Sequence, residues 1–137
     1  MARSRKRPVV PALHELEAEV MEEVWRGDRE ISVRELMERL NRRARSPRAY
    51  TTYMTIMARL DEKGLLRRRR EGKADRYSAV YGRDEYRELR AGAEVSALVS
   101  EFGDVALAHF ARQMDGLDPQ RQKELRRLAR RAEEPTR

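Results

Sequence analysis

The sequence predicts a mainly α-helical protein with a small β wing: a winged helix-turn-helix domain followed by a C-terminal domain of three helices. An amphipathic stretch over about residues 50–63, stopped by Gly64, is followed directly by a strongly basic hairpin, and three further helical patterns begin near residue 83. The expected divisions are a basic N-terminal arm over 1–12, the winged helix over 13–82, the helical domain over 83–132 and a disordered tail over 133–137.

The first helix is marked by apolar residues at helical spacing from Leu13, and it is expected to end near Gly27. Its five glutamates are expected to face water. Ile31, a lone apolar residue, predicts a strand of one or two residues that pairs with the later hairpin. Ser32 then begins the second helix with a capping box, since its hydroxyl can accept from the Glu35 backbone N–H while the Glu35 carboxylate reaches back.

The third helix follows a long turn over 41–48, and Gly64 supplies its left-handed stop. One side of this helix is apolar and is expected to be buried: Tyr53, Ile56, Met57 and Leu60. The opposite side carries hydroxyls and one guanidinium: Thr51, Thr52, Thr55 and Arg59. Such an outward face suits the major groove of DNA.

The hairpin opens at Leu65 and Leu66, turns around Gly72 over residues 71–75 and returns over 76–80. Leu66 and Tyr77 are expected to face the helices, with basic side chains pointing outward. Four consecutive arginines would repel one another on a strand, which indicates that an anion is expected there.

Charge is concentrated around the third helix. The chain has 137 residues, 31 of them basic and 24 acidic, for a formal net charge of +7. The segments 1–8, 41–49 and 66–77 each carry a net +4, whereas 14–26 carries −4. Basic segments that bracket a helix with a polar outward face predict contact with a nucleic acid backbone.

Duplex DNA is therefore the expected partner, with base contacts and phosphate contacts from different residues. The base-reading candidates are Thr51, Thr52, Thr55 and Arg59. The phosphate-binding candidates are Arg43, Arg48, Arg67, Arg69 and Lys73.

The C-terminal helices each carry a thin apolar stripe, which predicts that they bury it against a second copy of the chain. The expected homodimer interface consists of Tyr86, Leu89, Val95, Leu98, Val99, Phe102 and Phe110. Such a dimer would present two copies of the third helix, one from each chain, and they would bind the two halves of an inverted repeat. The expected operator is therefore a palindrome.

Catalysis, cofactors and metals are not expected. His14 and His109 are the two histidines, at no ligand spacing, and no glycine-rich phosphate loop follows a strand. The absence of cysteine excludes disulfides and thiolate chemistry. No stretch approaches the roughly 20 apolar residues of a membrane span. We expect a cytoplasmic protein that is not an enzyme.

Two alternatives remain open from the residues alone. One is a basic architectural or RNA-binding protein whose affinity comes entirely from phosphate contacts. The other is a winged-helix regulator gated by a small ligand that binds between the C-terminal helices.

Three stretches together resemble the penicillinase repressor family of bacterial transcriptional repressors: LEAEVMEEVW, ISVRELMERL and AYTTYMTIMARLDEKGLLRRRREGKADRYS. The resemblance covers about residues 13–82 by motif and the remainder by the order of the helices. It implies a winged-helix domain that binds palindromic operators and a three-helix domain that forms the homodimer. Thr52, Thr55 and Arg59 match the family's reading helix, and EGKADRYS matches its wing.

The resemblance also bears on regulation. The copper-responsive branch of the family carries C-terminal cysteines, which this chain lacks. In the β-lactam branch a membrane sensor protease cuts the repressor before a phenylalanine, which makes a regulatory protease a partner to consider. Glu101 and Phe102 lie in a comparable place, but the asparagine of that cut site is missing.

Overall fold

A computed structural model of the chain describes residues 8–133. Most of the basic arm, residues 1–7, and residues 134–137 of the predicted tail lie outside the described residues. The elements confirm the predicted fold class, a winged helix followed by three helices. They are α1 Glu15–Arg26, β1 Ile31–Ser32, α2 Val33–Arg43, α3 Tyr50–Glu62, β2 Leu66–Glu71, β3 Ala74–Ala79, α4 Arg83–Phe102, α5 Asp104–Asp115 and α6 Pro119–Glu133.

The chain divides into two compact units between Ala93 and Glu94. This division differs from the predicted domain start at residue 83, because the first half of α4 belongs to the first unit. Tyr86 is buried there, its ring centroid 5.5 Å from that of Trp25, and Leu89 packs against the same core. The Tyr86 hydroxyl also donates to the Pro11 carbonyl at 2.6 Å.

The segment before α1 also differs from the predicted arm over residues 1–12. Val10 is 3% exposed and belongs to the hydrophobic core of the first unit. Its carbonyl accepts from the Arg90 guanidinium at 3.2 Å. Val9 and Val10 lie between two prolines and form no helical or strand periodicity. A prediction based on the helical pattern that begins at Leu13 therefore did not include Val10 in the core.

The core of the first unit is formed where the apolar sides of α1, α2 and α3 meet the wing. Each helix contributes residues at a spacing of three or four, which places them on one side. The fully or nearly fully buried apolar residues of these elements are Val20, Met21, Val24, Val33, Leu36, Tyr53, Ile56, Met57, Leu60, Leu65, Leu66 and Tyr77. The core therefore fixes which side of α3 remains available to solvent.

The start of α2 confirms half of the predicted capping box. The Ser32 hydroxyl accepts from the Glu35 backbone N–H at 3.1 Å. The Glu35 carboxylate, which was expected to return to the cap, instead lies 3.2 Å from the Arg76 guanidinium on the wing. A cation from another element competes successfully for this carboxylate, since a charge-assisted hydrogen bond is stronger than a neutral one.

The sheet is antiparallel with the strand order β1-β3-β2. The predicted two-residue strand is confirmed, with Ile31 opposite Tyr77. The hairpin turn is tighter than predicted, because strand pairing continues to Glu71 and Ala74. Gly72 begins this turn at φ 62°, a conformation that glycine adopts without steric cost.

The second unit contains the end of α4, then α5 and α6. Gly103, at φ 59°, separates α4 from α5 as predicted. Asp118 begins α6 by accepting from the Arg121 backbone N–H at 2.9 Å, with Pro119 at the first helical position. Within residues 94–131, Ala106 is the one buried hydrophobic residue. In residues 8–133, no helix combines the length and apolar character that crossing a membrane requires.

Candidate nucleic-acid interface

The C-terminal end of α3 is fixed by backbone hydrogen bonds around Gly64. Gly64 has a φ of 80°, its N–H donates to the Asp61 carbonyl at 3.0 Å, and the Leu65 N–H donates to the Leu60 carbonyl at 3.0 Å. This pattern is a Schellman motif, in which a left-handed glycine satisfies the last carbonyls of a helix. It turns the chain directly into the wing, so the wing starts at a fixed place beside α3.

An ion pair with a buried carboxylate ties the same end of α3 to α1. The Lys63 Nζ donates to both carboxylate oxygens of Glu17, at 2.9 and 2.7 Å, and the His14 backbone N–H donates to the first of them at 3.0 Å. Glu17 is 1% exposed. Burial alone raises the pKa of Glu17, but the hydrogen bonds from Lys63 and His14 and the Lys63 charge outweigh it and lower the pKa.

The expectation that the glutamates of α1 face water is therefore wrong for Glu17. It is also wrong for Glu23, which is 6% exposed and accepts from Arg43 at 2.7 Å. Each carboxylate is paired with a base from outside α1, because a buried charge without a partner would be costly.

The long turn before α3 is held by Asn41, a residue that the sequence reasoning did not single out. Its side-chain amide donates to the Arg48 carbonyl at 2.9 Å, and its side-chain oxygen accepts from the Arg48 N–H at 3.0 Å. The same oxygen accepts from the Tyr53 hydroxyl at 2.8 Å, and Tyr53 is fully buried. One side chain thus fixes the turn and the first turns of α3 relative to each other.

The four predicted base-reading residues lie on the side of α3 away from the core. Thr51, Thr55 and Arg59 are exposed, and Thr52 is half-buried at the edge of that side. Tyr50 and Met54, which were not predicted as site residues, are also exposed. The sequence analysis looked only for polar side chains that could contact bases, so it did not consider these two residues with large apolar parts.

The predicted phosphate-binding residues of the turn already contact carboxylates. Arg43 donates to Glu23, and the Arg48 guanidinium lies 3.4 Å from the Glu19 carboxylate. Both arginines remain exposed, and together with Arg45 they line a shallow basic hollow next to the start of α3. The turn therefore presents guanidinium groups whose orientation is set by α1.

The wing arginines are also largely paired within the protein. Arg69 binds Glu30 through two nitrogens, at 2.9 Å from Nε and 2.6 Å from Nη2. This hydrogen bond holds the pKa of Glu30 below its usual value. Arg68 and Arg70 lie 4.0 and 3.6 Å from the Asp75 carboxylate. The prediction that the arginine run requires an external anion is therefore corrected, since carboxylates of the same chain screen three of the four charges.

Three predicted contact residues differ from these. In the part of the chain that the structure describes, no ion pair involves Arg59, Arg67 or Lys73. All three are exposed, the first on α3, the second on β2 and the third in the hairpin turn. Their charges are available to a phosphate without breaking an existing contact.

The residues predicted for a dimer interface fall into two groups. Tyr86 is buried in the core of the first unit and Leu89 is half-buried against that core, so within this chain both are already covered in large part. The others lie in the second unit, where Val99 is half-buried and four side chains are exposed: Val95, Leu98, Phe102 and Phe110.

The arrangement defines a class of protein. A core-anchored helix presents hydroxyls and a guanidinium on its outer side, and a basic wing begins directly after it. Together they form the winged helix-turn-helix of a DNA-binding transcription regulator.

Comparison with known proteins agrees with this class. A model of the penicillinase repressor family matches residues 13–131. The transcriptional regulator BlaI from two strains of Mycobacterium tuberculosis is 41% identical over 102 residues, which span 72% of this chain and 70% of the relative. The chain therefore belongs to the penicillinase repressor family, as the sequence resemblance predicted.

Two solved structures are similar to the chain at 27% identity, each over 56% of this chain and 90% of the other. One is the DNA-binding domain of the repressor BlaI, with a TM-score of 0.49. The other is the monomeric form of Bacillus licheniformis BlaI in complex with the blaP half-operator, with a TM-score of 0.46.

Proposed function

We propose that this chain represses transcription as a homodimer that binds a palindromic operator, with α3 in the major groove and the wing along the backbone. The observation that carries the proposal is the outer side of α3, where Thr51, Thr55 and Arg59 form an exposed row. The wing that follows α3 adds the exposed Arg67 and Lys73, which form no ion pair within residues 8–133. Hydroxyls and a guanidinium at groove depth can discriminate base edges, whereas a purely electrostatic binder needs only charge.

The homodimer is supported by the second unit. Leu98, Phe102 and Leu107 are 41%, 52% and 50% exposed there, and Ala106 is the one buried hydrophobic residue within 94–131. A unit with so small a core gains stability by burying its apolar surface against another copy. A two-fold dimer presents two copies of α3 related by the same axis, so the operator it matches is an inverted repeat.

The proposal also assigns the domains. The first unit, with α1 to β3, binds DNA, and the helices after Ala93 form the dimer. The half-sites are then expected about one or two helical turns apart, at roughly 34 Å per turn. A regulatory protease as a further partner stays a prediction from the family resemblance.

The test begins with selection of bound duplexes from a randomised DNA pool by the wild-type protein. The double variant Thr52→Ala/Thr55→Ala should lose at least about tenfold of the preference for the selected duplex over a scrambled one, because each base contact contributes about 1 to 3 kcal/mol of discrimination. Ser96→Ala removes an exposed hydroxyl from α4 and should leave this preference unchanged.

The alternative of a non-specific architectural or RNA-binding protein makes the opposite prediction. In that case the wild type would recover no consensus, or the double variant would lose affinity equally for selected and scrambled duplexes. Either outcome would overturn the proposal. A selected sequence without two-fold symmetry would overturn the palindromic operator while leaving sequence recognition in place.

A further inference from the structure

The exposed side of α3 carries an apolar strip next to its hydroxyl row. The strip consists of Tyr50 and Met54, which are one helical turn apart and 42% and 44% exposed. Thr51 and Thr55 are displaced from them by one residue and form a second row parallel to the first. The first two turns of α3 therefore present one apolar row and one hydroxyl row side by side.

The strip stands out within the first unit. Among residues 8–93, the large hydrophobic side chains that are exposed are Val9, Tyr50 and Met54, and two of these three lie on the first two turns of α3. Single exposed apolar residues are common on protein surfaces, but Tyr50 and Met54 are neighbours one helical turn apart and together form a small apolar patch. The strip is therefore available to a partner that approaches α3.

Charge around the strip favours a nucleic acid as that partner. Arg43 at the end of α2 and Arg45 and Arg48 in the turn before Tyr50 are all exposed. The wing adds the exposed Arg67 and Lys73, which form no ion pair among the residues that the structure describes. A protein that docked on the strip would need negative charge opposite these basic residues, whereas duplex DNA carries a negative charge at every phosphate. Residues near the N-terminus of a recognition helix are also those that reach the base edges.

The chemistry of the major groove then identifies what an apolar side chain can recognise there. Thymine is the base that presents a 5-methyl group in the major groove, and the other groups on base edges are mainly hydrogen-bond donors and acceptors. Met54 has no hydrogen-bond donor, and its unbranched, polarisable side chain adapts to an apolar contact.

We propose that Met54, supported by the ring of Tyr50, is a specificity-determining residue that recognises thymine 5-methyl groups in the operator; this inference rests on the proposed function. The threonine row supplies hydrogen bonds to neighbouring base edges, so the two rows read different properties of adjacent base pairs.

The test removes one methyl group at a time from the DNA. Each thymine of the selected duplex is replaced by deoxyuridine, which lacks only the 5-methyl group, and binding is measured with the wild type and with Met54→Ala. For the wild type we expect about a fourfold loss of affinity at one thymine position in each half-site, as for one buried methyl group. For Met54→Ala the same replacement should cause little further loss.

Two control variants make the result specific. Met54→Leu keeps an apolar side chain and should retain most of the sensitivity to deoxyuridine. Val9→Ala removes exposed apolar surface outside α3 and should retain all of the sensitivity at that thymine. Because Met54 is exposed, thermal unfolding of Met54→Ala should match that of the wild type, so that a change in binding reflects recognition rather than folding.

The outcomes separate this inference from the function on which it rests. A wild type that binds selected and scrambled duplexes equally overturns both. A wild type that selects a sequence, but whose sensitivity to deoxyuridine is absent or is undiminished in Met54→Ala, overturns the methyl contact alone. That second result would leave the strip to a protein partner.

Discussion

Replacement of Lys63 by methionine should destabilise the first unit strongly and in a pH-dependent way. Lys63 follows the last residue of α3 and donates to both oxygens of Glu17, whose side chain is 1% exposed. Methionine keeps most of the length of the side chain but removes the charge. The buried carboxylate then keeps the 3.0 Å hydrogen bond from the His14 backbone N–H but has lost its cationic partner.

The magnitude follows from burial. Removing one partner of a fully buried ion pair costs about 3 to 5 kcal/mol, because the remaining charge is left without compensation. The Lys63 side chain is 25% exposed, so water can reach this site in part and the expected loss is smaller. We expect about 2 to 3 kcal/mol at pH 7. Since 1 kcal/mol shifts the midpoint of a small domain by about 4 to 8 °C, thermal unfolding should occur about 10 to 20 °C lower.

The pH dependence provides a second, independent signature. The pKa of Glu17 in the folded protein is lowered from its ordinary value of 4.5. A carboxylate of this kind contributes stability above the pKa of the unfolded chain, and that contribution is lost as the pH falls through the folded value. In Lys63→Met, the carboxylate of Glu17 stays buried without its cationic partner, so protonation of Glu17 lowers the free-energy cost of burying it. The difference between wild type and variant should therefore shrink as the pH falls from about 6 to 3.

Urea unfolding at several pH values measures this difference directly. The double variant Glu17→Gln/Lys63→Met should recover part of the stability, because an uncharged amide costs less to bury than a carboxylate. Lys63→Arg, which keeps the charge, should lose less than the methionine variant. A difference below about 0.5 kcal/mol, the range of ordinary surface substitutions, or one that stays constant with pH would refute the reasoning.

Further predictions concern the wing and the second unit. Arg67→Ala should lower the slope of log affinity against log salt by about 0.9, the value for one lost phosphate contact. Glu30→Gln should raise the slope, because Arg69 then loses its two-point ionic partner and keeps only the longer 3.4 Å contact with Glu71. Fluorescence anisotropy over a salt series gives both slopes, and unchanged slopes would place these side chains away from the backbone. Phe102→Asp should produce monomers in sedimentation and weaken binding of the selected duplex, with the exposed Glu101→Gln as control; persistent dimers would locate the interface elsewhere.

Elements with a local physical cause could be predicted from the sequence. The two sides of α3 follow from helical periodicity, and its end at Gly64 follows from the need for a left-handed residue. The short strand at Ile31 could also be predicted, because a single apolar residue just before a helix cap can be buried by pairing with the nearby hairpin. In each case the deciding residues are close together in the chain.

The partners of the charged residues could not be predicted, because they come together only in the folded chain. Glu30 and Arg69 are 39 residues apart, and Glu17 and Lys63 are 46 apart. A glutamate on an amphipathic helix looks the same in the sequence whether it faces water or a lysine.

The same reason explains the assignment of Tyr86 to the dimer interface. The apolar stripe of α4 indicates that Tyr86 is buried against other residues. It does not indicate whether those residues belong to a second chain or, like Trp25, to the same unit. The fold class could therefore be predicted more fully than the partners of individual side chains.

If the wing lies along the DNA backbone as proposed, the carboxylates that hold its arginines bear on how easily the protein leaves DNA. When Arg69 moves from Glu30 to a phosphate, one anion is exchanged for another, so the net gain is small compared with that of a solvated cation. On the proposed function, much of the arginine run would then speed the approach to DNA through its charge and add little to the stability of the complex. A regulator built in this way can vacate its site when conditions change, because the wing returns to contacts that it already had.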